Sequence, residues 1–362
     1  MHRDVHNRYG DNMKYLFQIM YLCVIFISTT QIQPTLKEYG FDLLQCAYFY
    51  SGSAFVGYLL QKLWFKLSQR MNVNVGMKCG LIIIVLFYYL LTQSFLIFLS
   101  AVLLFALAKT FININEVYCY ECKNEYGYLR CFASIGMAIG AIVSCYWVNN
   151  QIYIISMLTI VLVFIPIKSY QKPNVSSQKV SWQKSDYYFI LMLSILYAIG
   201  SADQYIVTAK ILALKGSREL IGWKMCIQCL SELPFYYFMQ KILKRFSYEK
   251  LMKWAIIFFM IRFGLYAYVD DCVKLIWIST LQAVTLPLMM SSSKLYISNM
   301  HPQGDGSQGR MLSLFTSIAF IIAPILYGFL QIYFSFNVVL YACSLSCFIV
   351  LFLQRKLDLS LK

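Results

Sequence analysis

Charge is scarce in this sequence. Only 13% of its 362 residues are Asp, Glu, Lys or Arg, against 60% that are hydrophobic. A soluble domain carries roughly 25% charged and 45–50% apolar residues. A chain this apolar lacks the polar surface to cover one or two water-soluble domains, so the two-domain expectation from length gives way. Histidine is rarer still: His2 and His6 lie in the N-terminal tail and His301 in a loop. The Cys-x-x-Cys pairs, Cys119/Cys122 and Cys226/Cys229, therefore have no nearby partners. A zinc site needs four ligands, so no metal is expected. The twelve cysteines lie mostly in apolar runs, as small hydrophobes, and form no disulfide framework. No Walker A sequence is present, which excludes P-loop ATP hydrolysis. No nucleophile elbow or Ser-His-Asp order is readable, and no enzyme is expected. Gly304-Asp305-Gly306-Ser307-Gln308-Gly309 fits G-x-G-x-x-G. It lies between apolar runs rather than after a strand, so no dinucleotide or other cofactor is expected. The first apolar run lacks a small-residue cleavage site, which argues against a removed signal peptide.

What fills the chain instead is a series of long apolar runs. Only a helix satisfies its own backbone in lipid, and roughly 20 residues cross a bilayer core. That ruler predicts twelve spans: Tyr15–Gln31, Leu43–Leu63, Val75–Thr92, Phe95–Asn115, Gly127–Val148, Ile152–Ile167, Tyr187–Leu212, Ile221–Leu243, Leu251–Val269, Val273–Ile297, Met311–Gln331 and Asn337–Leu353. The fold class expected is an all-α integral membrane protein of two six-helix halves. Residues 1–14 form a tail, 15–167 the first half, 168–186 a linker, 187–353 the second half and 354–362 a second tail.

The net charge of +15 is distributed in short breaks between spans, not along a stripe, so nucleic acid is not the expected partner. Basic residues gather in one set of loops: Lys62, Lys66, Arg70 and Lys78; Lys168 to Lys184; Lys241 to Lys253; and Arg355 to Lys362. The alternate loops are poor in charge. The positive-inside rule then places both termini and the linker in the cytoplasm. Lys210, Lys215 and Arg218 break the pattern, unless Lys210 belongs to span seven. Gln61-Lys62-Leu63 at the end of span two is echoed by Gln240-Lys241-Ile242 at the end of span eight. That echo, with the linker position, suggests a parallel repeat, an arrangement that puts a solute site between the halves near the midplane.

Several charges fall inside the spans: Lys109, Glu116, Arg130, Asp203, Glu232, Arg262 and Lys294. Each costs at least about 2.5–3.5 kcal/mol at the bilayer centre, so each calls for a partner or a watery cavity. Structural salt bridges between helices are the plain alternative to a solute or ion pathway. Glu232 and Arg262 lie at comparable depth in neighbouring spans and are expected to face the interior within reach of each other, directly or through a water.

These residues also carry a resemblance. Tyr126-Gly127-Tyr128-Leu129-Arg130-Cys131-Phe132-Ala133-Ser134-Ile135-Gly136 is similar to the YGxxRxxGSxG start of the fifth helix in the major facilitator superfamily. The likeness points to the branch of lactose permease and the nucleoside–proton symporters. Arg130 matches that branch's substrate-contacting arginine and Glu116 its acidic partner. Asp203, Glu232 and Arg262 resemble acidic and basic residues of its seventh, eighth and ninth helices. The resemblance implies a secondary transporter for a sugar or nucleoside in the cell membrane. With Asn113 and Lys294 added for their place inside the spans, the candidate solute-binding residues are Arg130, Glu116, Asn113 and Asp203, and the candidate coupling or gating residues are Glu232, Arg262 and Lys294. Gln282 and Thr285 stand where that branch has a titratable pair on helix ten, and Ser279 replaces a lysine. The coupling ion thus stays open between a proton and another cation. Asp203 must find its partner in Lys210, Lys294 or water. The rival readings are a flippase or membrane enzyme of glycan or lipid assembly, and a relative that no longer transports.

Overall fold

The computed structural model describes residues 2–360 apart from 69–72, 94–96, 122–124, 148–149, 166–182 and 301–306. Twelve membrane-crossing helical segments follow one another, and no strand occurs among the described residues. They are α1 (His2–Thr29, resumed as Ile32–Glu38), α2 (Leu43–Ser68), α3 (Val73–Thr92), α4 (Ile97–Glu121), α5 (Tyr126–Tyr146) and α6 (Gln151–Phe164). After the linker come α7 (Lys184–Ala202, Asp203–Val207, Thr208–Ala213) and α8 (Arg218–Ser231, resumed as Leu233–Arg245). The last four are α9 (Tyr248–Tyr268), α10 (Cys272–Ile278, Ser279–Leu281, Gln282–Met300), α11 (Ser307–Tyr333) and α12 (Phe336–Ser360). Several helices overrun the predicted spans, because an apolar ruler measures only the part of a helix in hydrocarbon. Most of the 168–186 linker lies outside the described residues. Its end is shorter than expected: α7 starts at Lys184, where the Asp186 carboxylate accepts the Gln183 backbone N–H at 2.9 Å.

The packing repeats with an offset of six. In the first half α1 packs on α5 and α6, α2 on α4, and α3 on α4 and α6. In the second half α7 packs on α11 and α12, α8 on α10, and α9 on α10 and α12. Two seams, α2 with α11 and α5 with α8, join the halves and exchange under the same offset. That is the signature of a two-fold axis between two parallel repeats. The close approach of α1 to α5 depends on small residues. A Cβ on Gly136 would stand 2.1 Å from the Ile19 carbonyl oxygen, and one on Gly140 2.6 Å from that of Cys23. Outward faces are apolar: Leu345, Phe348, Ile349 and Phe352 form an exposed stripe on α12 at helical spacing.

Among the described residues four helices are interrupted, and every break falls on polar residues, Thr30 and Gln31 in α1 included. In α7 a π turn spans Asp203–Val207. In α8 the helix breaks at Glu232, because Pro234 has no N–H to donate to the Leu230 carbonyl. In α10 a tight 3-10 turn, Ser279–Leu281, precedes Gln282. π turns inside helices are often found at functional sites.

Candidate functional site

Two clusters of buried charge meet at the α5–α8 seam. In the first, Arg130 of α5 donates to the Glu116 carboxylate of α4 at 2.7 Å and to the Tyr236 hydroxyl of α8 at 3.1 Å. The Tyr126 hydroxyl donates to the other Glu116 oxygen at 3.0 Å. Gly127 makes this crossing possible: a Cβ there would stand 2.4 Å from the Tyr236 carbonyl oxygen. The Glu116–Arg130 pair expected from sequence is thus formed, between helices α4 and α5. Asn113, one turn before Glu116, donates to Gln61 of α2 at 3.3 Å.

In the second cluster Asp203 takes four partners, one of them the Tyr266 hydroxyl of α9. Lys224 of α8 lies 2.9 Å from its carboxylate, Arg262 of α9 3.1 Å, and the Gln228 amide donates at 2.5 Å. This corrects two expectations. The direct carboxylate partner of Arg262 is Asp203, not Glu232, since equal depth says nothing about which helices adjoin. Helix α10 packs on both α8 and α9, and its Gln282 bridges the gap: the amide oxygen accepts from Arg262, and the side chain hydrogen-bonds Glu232. Asp203 in turn is held by Lys224, whereas Lys210 pairs with Asp270. Sequence reasoning missed Lys224 and Gln228, although Lys224, Gln228 and Glu232 recur every four residues on one face of α8.

Glu232 joins the clusters. The Ser134 hydroxyl of α5 donates to it at 3.4 Å across the seam. Two series of contacts therefore run Glu116–Arg130–Tyr236 and Ser134–Glu232–Gln282–Arg262–Asp203–Lys224, and the charges of Arg130 and Glu232 act on each other across the seam. Arg262 and Lys224 are fully buried, and Glu232 is 2% exposed. The side chain of Lys294 lies outside the described residues.

Lys210 belongs to the last turn of α7. Its ammonium lies 2.8 Å from Asp270 and donates to the carbonyls of Tyr266 and Val269 at 2.9 and 2.7 Å. These carbonyls close the end of α9, where a cation is favourable. The hydrogen bond from Lys210 holds the exposed Asp270 carboxyl below its ordinary value. At this same end of the bundle the halves touch. Glu38 pairs with Arg218, Gln33 donates to the Tyr205 carbonyl at 3.3 Å, and the Tyr50 and Tyr205 rings lie 4.2 Å apart. No group of three or more metal-ligating side chains occurs among the described residues.

Twelve helices in two six-helix repeats, with charge buried along the seam between them, define a secondary transporter of the major facilitator kind. The sequence pattern of the MFS_1 like family matches residues 15–330, and the chain belongs to that family. Solved structures agree on the fold. The nucleoside transporter NupG superposes with a TM-score of 0.73 at 15% identity, covering 96% of this chain and 99% of its own. The human organic anion transporter MFSD10 (TETRAN) gives 0.69 at 12% identity, covering 95% and 99%. A bacterial homolog of the human lysosomal transporter Spinster, inward-facing and unoccupied, gives 0.64 at 11%, covering 90% and 82%. No curated protein matches the chain in sequence.

Proposed function

We propose that this transporter carries a small polar solute, the size of a sugar or nucleoside, between its halves by alternating access. The observation that carries the reading is the pair of charged series from Glu116 to Lys224, which both halves build and which cross the α5–α8 seam. Rocking of one half against the other breaks or remakes such contacts, as alternating access requires. Glu116, Arg130, Asn113 and Asp203 bind the solute; Glu232, Arg262 and Lys294 couple or gate. The basic loops support a cytoplasmic side for both termini and the 168–186 linker, and the reading takes the membrane to be that of the cell. The Glu38–Arg218 end, where the two halves touch, then faces outward. Likeness to a nucleoside transporter supports the solute size; the fold alone does not name the solute.

Coupling, in this reading, runs through Glu232. Glu116 and Asp203 are held in ion pairs, whereas Glu232 is held by the neutral Ser134 and Gln282. Its protonation therefore breaks no direct ion pair. The test is solute accumulation in proteoliposomes with and without an imposed pH gradient, comparing parent with Glu232→Gln. The expected result is pH-driven accumulation that the variant loses while solute exchange persists. Accumulation that survives in the variant overturns the role of Glu232. A parent indifferent to the gradient replaces the proton with another ion, or with facilitated diffusion.

A further inference from the structure

The charged series are balanced internally. Glu116 offsets Arg130, and Asp203 with Glu232 offsets Lys224 with Arg262. At the end of the bundle Asp270 offsets Lys210. Lys109 is different. Among the described residues no carboxylate pairs with it. What its ammonium meets is aromatic: the Phe320 ring of α11 at 4.1 Å and the Phe105 ring of its own helix at 5.3 Å.

Lys109 lies inside the membrane span of α4, seven residues before its end at Glu116. That is about 10 Å along the helix, and the side chain does not take this route: its ammonium lies over Phe105, one turn back toward the interior of the span. Nor does it point into lipid. It reaches from the first half to the second, against Phe320, whose ring lies 6.3 Å from that of Tyr197 on α7. The Tyr197 hydroxyl in turn meets the Met290 sulfur of α10 at 2.5 Å. Lys109 therefore meets α11 directly and is linked through Phe320 to α7 and on to α10, and it keeps partial exposure. On the same face of α4, Asn113 stands one turn on and Glu116 two turns on.

Resting on the transporter reading, we infer that the solute is an anion, a carboxylate or phosphate of a sugar-sized molecule, and that Lys109 is its charge partner. A neutral solute leaves the ammonium facing only aromatic rings; an anionic one completes the charge balance of the seam. Aromatic faces on two sides keep the ammonium in place while leaving its hydrogen-bond donors free for the incoming group.

The test uses the full chain, purified in detergent, with size-matched probes: glucose, glucuronate and glucose 6-phosphate; uridine and uridine 5′-monophosphate. Thermal stabilisation is titrated for parent, Lys109→Gln and Lys109→Arg. At least one anionic probe should act at concentrations about tenfold below its neutral counterpart. Lys109→Gln should lose that preference and Lys109→Arg should keep it. Without probe, Lys109→Gln should melt no lower than parent, because it removes an uncompensated charge. Glucuronate against glucose 6-phosphate separates carboxylate from phosphate. Equal or better stabilisation by the neutral probes overturns the inference, as does an unchanged preference in Lys109→Gln or no response to any anion. Counterflow in proteoliposomes separates this failure from failure of the parent reading. Saturable exchange of glucose or uridine, untouched by Lys109→Gln, sinks the anion while leaving the transporter.

Discussion

Replacing Asp203 with Asn should damage this protein more than removing either cation beside it. Asp203 faces Lys224 at 2.9 Å and Arg262 at 3.1 Å. At an effective interior dielectric near 20 these attractions are about 6 and about 5 kcal/mol before desolvation is subtracted. Desolvation of three buried groups cancels much of that. What persists on removing one member of a buried pair is about 3–5 kcal/mol, because the partner is left uncompensated. Asp203→Asn leaves two cations stranded side by side. Lys224→Gln leaves Asp203 with Arg262 and Gln228, so its cost should be nearer the roughly 2 kcal/mol of a charge-assisted hydrogen bond. In the double variant Arg262 still faces Glu232 through Gln282, so its loss should be less than the sum of the singles. Thermal unfolding in detergent can be followed with a thiol-reactive dye, since most of the free cysteines are buried. The melting order should be parent, Lys224→Gln, double variant, Asp203→Asn. Equal melting of the two single variants, or a double variant worse than Asp203→Asn, would refute the charge argument.

Gly136→Ala should loosen the α1–α5 contact, since the new Cβ meets the Ile19 carbonyl oxygen at 2.1 Å. The cost is that of overpacking, about 1–3 kcal/mol, read as a lower melting temperature; an unchanged one would show that the helices separate freely. Asp270 predicts a pH effect. Its folded value is depressed by the Lys210 hydrogen bond, so its contribution is full above the unfolded carboxylate value, about 4, and fades as pH falls through the lower folded value. Asp270 is exposed, so the effect is small and screened by salt. Asp270→Asn should flatten the acid limb of a melting-temperature profile at low salt, and an identical limb in parent and variant would contradict the assignment.

Much of this architecture was legible in composition. Apolar runs of membrane length located all twelve helices, even across the short breaks after Thr92 and before Gln151, because the need to satisfy backbone in lipid leaves one solution. The Glu116–Arg130 pair was legible through the resemblance, which gives Arg130 an acidic partner at the end of the preceding helix. Pairings within the second half were not. Depth along a helix follows from counting residues, but azimuth and neighbours follow from packing. Glu232 and Arg262 were matched by depth, yet α10 packs on both of their helices and its Gln282 links them. The π turn at Asp203 and the break at Glu232 also turn side chains away from where a regular helix places them. Gln282 is untitratable where the resemblance expects a titratable group; in the fold it is a bridge. The repeat was hinted at by Gln61-Lys62-Leu63 and Gln240-Lys241-Ile242, which fall on the counterpart helices α2 and α8.

The central claim is that solute crosses through the seam where Arg130 holds Glu116 and Tyr236. Counterflow tests it most directly: proteoliposomes loaded with unlabelled solute, labelled solute outside, no nucleotide triphosphate, and the sugars, nucleosides and their anionic forms as a panel. The account predicts saturable, trans-stimulated uptake of at least one member by the parent. It predicts loss of that uptake in Arg130→Gln, which keeps size and polarity but not the charge or the fork of donors. Uptake no greater than in empty liposomes across the panel, or exchange in Arg130→Gln equal to that of the parent, would contradict it.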